Sequence, residues 1–210
     1  MLIDFNTINE YLIKSNIQVT GAFHIGAHNC EELTFYNKLN LKNEDVIWID
    51  AIQSKVDEAK NRGIPNVYQA LITDKDDKEE VFNIASNVES SSVLPFGTHA
   101  VVHFWVTYVG TQNLNSITID TFLERNNIDL SKHNFWNFDI QGAELMALKG
   151  ATKSLQYAKA IYLEVNEKEL YINCGLINEI DNFLAQYNFI RVYTLMQHDV
   201  GWGDALYIKN

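Results

Sequence analysis

The stretch FDIQGAELMALKGA, residues 138–151, carries the reading of the whole chain. The stretch FWNFDI, residues 135–140, is short enough to be a buried strand. Asp139 then stands at the strand end, Gln141 and Gly142 make a turn, and Leu145 and Leu148 repeat at helical spacing. Glu144 falls in the first helical turn, where a carboxylate favours the helix dipole, so a purely structural role suffices for it. A strand that feeds a helix through a turn bearing an acid is the unit from which α/β sheets with ligand-binding strand ends are built.

Outward from this unit the same alternation recurs. Upstream, residues 4–16 form an amphipathic leading helix within segment 1–20, and strands are expected at 21–25, 46–50 and 66–72. Helices are expected over 30–40 and 53–62. Residues 86–115, with three serines at 90–92, form a long loop-like segment expected to be an acceptor-side insertion or lid. Residues 116–123 resume as a strand feeding a helix near Asp120. Downstream, a strand at 160–165, a helix at 176–186 and strands at 189–195 and 205–208 complete the series. Only the turn-rich QHDVGWGD separates the last two strands, so segment 189–208 is expected to be an antiparallel hairpin at one sheet edge. The expectation is one α/β domain over 1–210, Rossmann-like, with a mostly parallel sheet and helices on both faces.

Composition narrows the function classes. With 47% apolar and 12% aromatic residues, the 210-residue chain can fill one full-sized core. A net charge of −11 disfavours extended nucleic acid as a partner. No run is long enough to span a bilayer, and the N-terminus lacks a signal-peptide pattern. Cys30 and Cys174 match neither a disulfide framework nor a CxxC metal site and suit a reducing compartment, so the expected location is cytoplasmic. Oligomeric state is not legible.

Ligands of such sheets bind at the carboxyl ends of strands where the strand order reverses. Five strand ends supply candidates. HIGAHNCEE (24–32) offers Gly26, Ala27 and His28, either as a place for backbone to approach an anionic ligand beside free N–H groups or as a plain tight turn. Asp50 ends the second strand about 24 residues after Gly26, where an acid accepts ribose hydroxyls or caps a helix. Ala70 and Leu71 in QALITD (69–74) offer an apolar wall to an adenine, although a plain core strand end explains them better. Asp139 and Gln141, with Glu164 and Asn166 in LEVNEKELY (163–171), bring carboxylates and amides to one crevice.

Taken together, FHIGAHNCEEL, WIDA, NVESSSVL, ITIDTFL, FDIQGAELMALKGA, EVNEKELY and GWGDALYI run in one order over nearly the whole chain, and the chain resembles the FkbM methyltransferases. The resemblance implies the class I methyltransferase fold, S-adenosylmethionine as donor and transfer to a hydroxyl oxygen, commonly of a sugar or polyketide. It places Gly26, Ala27 and His28 at the methionine end, Asp50 at the ribose, and Asn87 and Ser91 near donor or acceptor. Asp139, Gln141, Glu164 and Asn166 fall at the reacting centre, and Ser92 falls among the acceptor contacts. Many relatives carry Asp and Asn where this chain has His24 and His28, and Gly at Cys30.

Asp139 is the first candidate for the base that takes the hydroxyl proton, and His99 or His103 the second. The two histidines share a helical face and would join Asp139 and Glu164 as ligands of a divalent metal only if the middle segment folds over the sheet; no metal is predicted. Trp105, Trp136 and Trp202 are candidate stacking surfaces for a sugar. The expected acceptor is a glycan or sugar-lipid hydroxyl, with a polyketide or other small-molecule hydroxyl as alternative. A non-catalytic Rossmann-like binding module is the competing class; an NAD-dependent oxidoreductase is disfavoured by the missing GxGxxG.

Overall fold

A computed structural model describes residues 1–210. Its main sheet has seven strands: β1 (Ala22–Ile25), β2 (Val46–Asp50), β3 (Val67–Gln69), β7 (Phe135–Phe138), β8 (Ala160–Asn166), β9 (Phe189–Gln197) and β10 (Trp202–Lys209). Their spatial order is β3-β2-β1-β7-β8-β10-β9. The first five are parallel; β10 runs antiparallel to both β8 and β9. The expected edge hairpin is therefore present, with β9 outermost.

The central strands are buried along their whole length, as a sheet covered on both faces requires. On one face lie α5 (Ile119–Arg125), α6 (Glu144–Lys149) and α7 (Ile177–Ala185), which bury Phe122, Leu148 and Ile180 against Phe23, Ile49, Phe138 and Leu163. On the other lie α1 (Phe5–Lys14), α2 (Leu33–Lys38) and α3 (Gln53–Asn61), which bury Ile8, Tyr36 and Val56 against Trp48, Phe135 and Tyr162. Asp4 starts α1 by accepting the N–H groups of Asn6 and Thr7.

The structure departs from the sequence expectations in three places. Segment 66–72 is two strands: β3 leaves the main sheet at Ala70, whose N–H donates to the Asp50 carbonyl, and β4 (Leu71–Ile72) pairs instead with β6 (Tyr108–Ile117). Residues 108–115, expected in the loop, belong to that ten-residue strand β6 (Tyr108–Ile117), which pairs antiparallel with β5 (Glu79–Ala85). Its outer residues Thr111, Gln112 and Asn113 are exposed, so no apolar alternation announces the strand. Helix α2 spans only Leu33–Lys38, because His28 and Cys30 upstream hold left-handed backbone at φ 40° and 56°. Cys30 thus occupies a conformation that glycine adopts without strain.

Candidate active site

The strand order reverses between β1 and β7, and there the strand ends open into a cleft of about 540 Å³. Gly26, at φ 92°, turns the chain away from β1; a Cβ at this position would stand 1.8 Å from the Asp139 carbonyl oxygen, so only glycine fits. The N–H groups of Gly26 and Ala27 both donate to the Ile49 carbonyl, and the His28 N–H donates to Asp50 Oδ2 at 2.7 Å. The turn is thus tied to β2, with the N–H groups of Gly26, Ala27 and His28 all engaged there. Asp50 Oδ1 accepts the Ile52 N–H at 2.8 Å. Burial raises the Asp50 pKa despite these two bonds.

Across the cleft, Gln141 joins the two remaining acids. Its amide nitrogen donates to Asp139 Oδ1 at 2.7 Å and to Glu164 Oε2 at 3.1 Å, while its oxygen accepts the Tyr171 hydroxyl at 2.7 Å. Gln141 sits at φ 55°, and Ser92 Oγ donates to its carbonyl at 2.8 Å. Gly142 follows at φ 93°, with Tyr171 and Cys174 packed where a Cβ would project. Glu164 is buried, and desolvation together with the Asp139 charge pushes its pKa well above the carboxylate range. Asp139 is exposed and its Oδ2 makes no hydrogen bond. Glu144 lies beneath the turn, 1% exposed; its Oε1 accepts the N–H groups of Ile140 and Gly142, and burial raises its pKa to about 8.

Residues 87–106 form the opposite wall. His99, in the short helix α4 (His99–Val102), is buried, stacks on Phe96 and meets Ser90 Oγ through Nε2 at 3.2 Å. Its Nδ1 has no partner, and burial lowers its pKa to about 4, so the ring is neutral at pH 7. The His103 ring lies 4.8 Å from it. No three His, Cys, Asp or Glu side chains are arranged to hold a metal ion.

Of the residues singled out from sequence, Gly26, His28, Asp50, Ala70, Leu71, Asn87, Ser91, His99, His103, Asp139, Gln141 and Glu164 border this cleft. Ala27, Ser92 and Asn166 do not. Ala27 is buried in the turn, with its carbonyl accepting the Cys30 N–H, and Ser92 acts through Gln141. Asn166 is fully buried behind the wall, with neither side-chain atom paired. Trp105 and Trp202 reach the cleft, but Trp136 is a core residue donating to the His133 carbonyl. His24 is likewise internal: Nδ1 meets the Tyr36 hydroxyl at 2.9 Å, and burial lowers its pKa to about 4.

Four contributing residues escaped sequence reasoning. Tyr171 orients Gln141; Asp204 borders the cleft and accepts from the Tyr162 hydroxyl and the Leu2 N–H; and Met1 and Leu2 line one end. Asp204 was detectable as the single acid inside the apolar run of GWGDALYI.

A parallel sheet reversing at β1 and β7, closed by an antiparallel hairpin and with acids at the ends of β2 and β7, defines the class I methyltransferase fold. The sequence matches the Methyltransferase FkbM domain over residues 24–191, and the chain belongs to that family, as an S-adenosylmethionine-dependent methyltransferase. Its fold is similar to that of an S-adenosylmethionine-dependent methyltransferase from Clostridium acetobutylicum: 9% identity, 100% of this chain and 93% of that one, TM-score 0.52. Magnesium protoporphyrin IX methyltransferase from Synechocystis PCC 6803, solved with bound donor, aligns at 10% identity over 98% of this chain and 78% of that one, TM-score 0.44. No curated protein matches the chain.

Proposed function

We propose that the chain methylates a hydroxyl oxygen of a sugar-bearing acceptor. The observation that carries this reading is the convergence on one cleft of Asp50 and of Asp139 and Glu164, clamped by Gln141. The donor fits the residues present. Each Asp50 oxygen accepts one backbone N–H and keeps a lone pair for a ribose hydroxyl. Ala70 and Leu71, beside Ile52, offer an apolar wall to the adenine. Gly26 and His28 border the methionine end, with Ala27 shaping the turn, and Asn87 and Ser91 face it from the opposite wall.

S-adenosylmethionine, when bound, supplies an electrophilic methyl group on a sulfonium. The chain's own part is therefore alignment, worth up to roughly 7–11 kcal/mol in well-oriented systems, and removal of one proton. Asp139 suits the second task because it is exposed in the cleft and its Oδ2 is unpaired. Its Oδ1 bond to Gln141 fixes the direction of Oδ2. His99 and His103 stand second; the His99 imidazole, which burial holds at a pKa of about 4, is a weak proton acceptor. The Glu164 carboxyl, whose pKa burial pushes well above the carboxylate range, and the remaining lone pair of the Gln141 side-chain oxygen are the groups left to hydrogen-bond neighbouring acceptor hydroxyls.

Incubation with methyl-labelled donor and a panel of glycosides tests the reading. A methyl ether that survives mild base is expected; label released as methanol by mild base would mean a carboxyl ester and would sink it. An acceptor with an apolar body, such as a polyketide hydroxyl, is the second reading, favoured by Trp105, which borders the cleft while 64% exposed.

A further inference from the structure

Residues 90–119 contain no Asp, Glu, Lys or Arg, in a chain with 20% charged residues. Within that segment Val101, Phe104 and Trp105 are 75%, 74% and 64% exposed. The Phe104 and Trp105 rings meet edge to face with centroids 5.2 Å apart, and Trp105 meets His103 at 5.4 Å. Both His103 and Trp105 border the cleft, whereas Val101 and Phe104 lie outside it. An uncharged apolar ledge therefore starts at the cleft wall and continues onto the surface. Scattered exposed apolar residues need no explanation, but a contiguous set running out of a ligand cleft marks a binding surface.

We infer that this ledge takes the hydrocarbon portion of an amphiphilic acceptor whose hydroxyl-bearing head lies in the cleft. The inference rests on the reading of the cleft as the acceptor site. Continuity with the cleft selects this occupant over a separate partner, because a chain attached to a head in the cleft can run out along Trp105 onto the ledge. The absence of charge selects it over a phosphate-rich or acidic ligand, for which residues 90–119 offer no cation. A fully buried methylene strengthens binding about fourfold. A chain lying on an open ledge buries about half its surface, so about twofold per methylene is expected, or roughly a hundredfold between a one-carbon and an eight-carbon chain.

The test titrates the full chain with methyl, hexyl and octyl β-D-glucoside, kept below their micelle concentrations. Affinity should climb about twofold per methylene. The double variant Val101→Ser, Phe104→Ser should flatten that climb while leaving affinity for S-adenosylmethionine, measured separately, unchanged. No climb with chain length overturns the inference, and so does a climb that the double variant retains, since the chain then binds elsewhere. Light scattering at the same concentrations supplies one more arm: a dimer that the double variant dissociates shows a second copy covering the ledge and overturns it too. Failure of the wild type to bind S-adenosylmethionine strikes the methyltransferase reading instead and leaves the glucoside series to stand by itself.

Discussion

Glu144→Gln should make the protein more stable at pH 8 and flatten its stability profile. Glu144 is 1% exposed, and burial holds its carboxyl near pKa 8 against an ordinary 4.5. Between these values the folded state binds a proton that the unfolded state has released, so stability falls as pH rises from 4.5 to about 8. At 1.36 kcal/mol per pH unit the upper limit is roughly 5 kcal/mol, and relaxation around the buried group reduces the expected effect to about 2–4 kcal/mol. Glutamine has the shape of the protonated acid and keeps an oxygen for the Ile140 and Gly142 N–H groups, so the variant removes the charge without opening the turn. His24 and His99 act with the opposite sign. Held near pKa 4, they contribute stability that is present above 6.5 and is lost as pH falls through that window toward 4. The two trends oppose each other below 6.5, which leaves pH 6.5–8 as the window in which the carboxyl acts without the histidines. Urea denaturation at pH 6.5 and pH 8 measures both proteins. If the wild type is equally stable at the two values, or if the variant falls as steeply as the wild type, the carboxyl is not held protonated and the reasoning fails.

Three further outcomes follow from the cleft. Asp139→Asn should lower single-turnover methyl transfer at saturating donor by roughly 10²–10⁴-fold, with donor affinity and melting temperature little changed; a near-normal rate moves the base to His99 or His103. Asp50→Ala should weaken S-adenosylmethionine binding by about 10–100-fold, the cost of a hydrogen bond to a charged group, and calorimetric titration showing wild-type affinity would remove Asp50 from the donor site. Gly26→Ala should destabilise the fold by more than the 1–3 kcal/mol of a strained backbone, because the new methyl also overlaps the Asp139 carbonyl; an unchanged urea midpoint would mean that the β1 and β7 ends do not approach as described.

The sheet and much of the site were legible because they rest on local pattern. Buried parallel strands are continuous apolar runs, and an acid that interrupts such a run at or near its carboxyl end lies at the cleft, which is how Asp50, Asp139 and Glu164 were found; Asn166, which ends β8, is buried away from it. The hairpin of β9 and β10 was legible from one short turn-rich connection. Strand β6 was not, because its exposed polar residues carry no period and its pairing with β5 is decided across a separation that local pattern does not report.

The chain's own order of residues thus determined the fold class, the strand ends that matter and the family resemblance, all of which depend on spacing along the backbone. Tertiary structure alone decided which polar groups remain free. It tied the Gly26 and Ala27 N–H groups to Ile49, set His24 inside the core, and put Tyr171 against Gln141, which bridges Asp139 and Glu164. Hydrogen bonds and burial are properties of neighbours in space, and residues such as Asn137 and Tyr36, 101 positions apart yet bonded at 3.2 Å, become neighbours only once the sheet has closed.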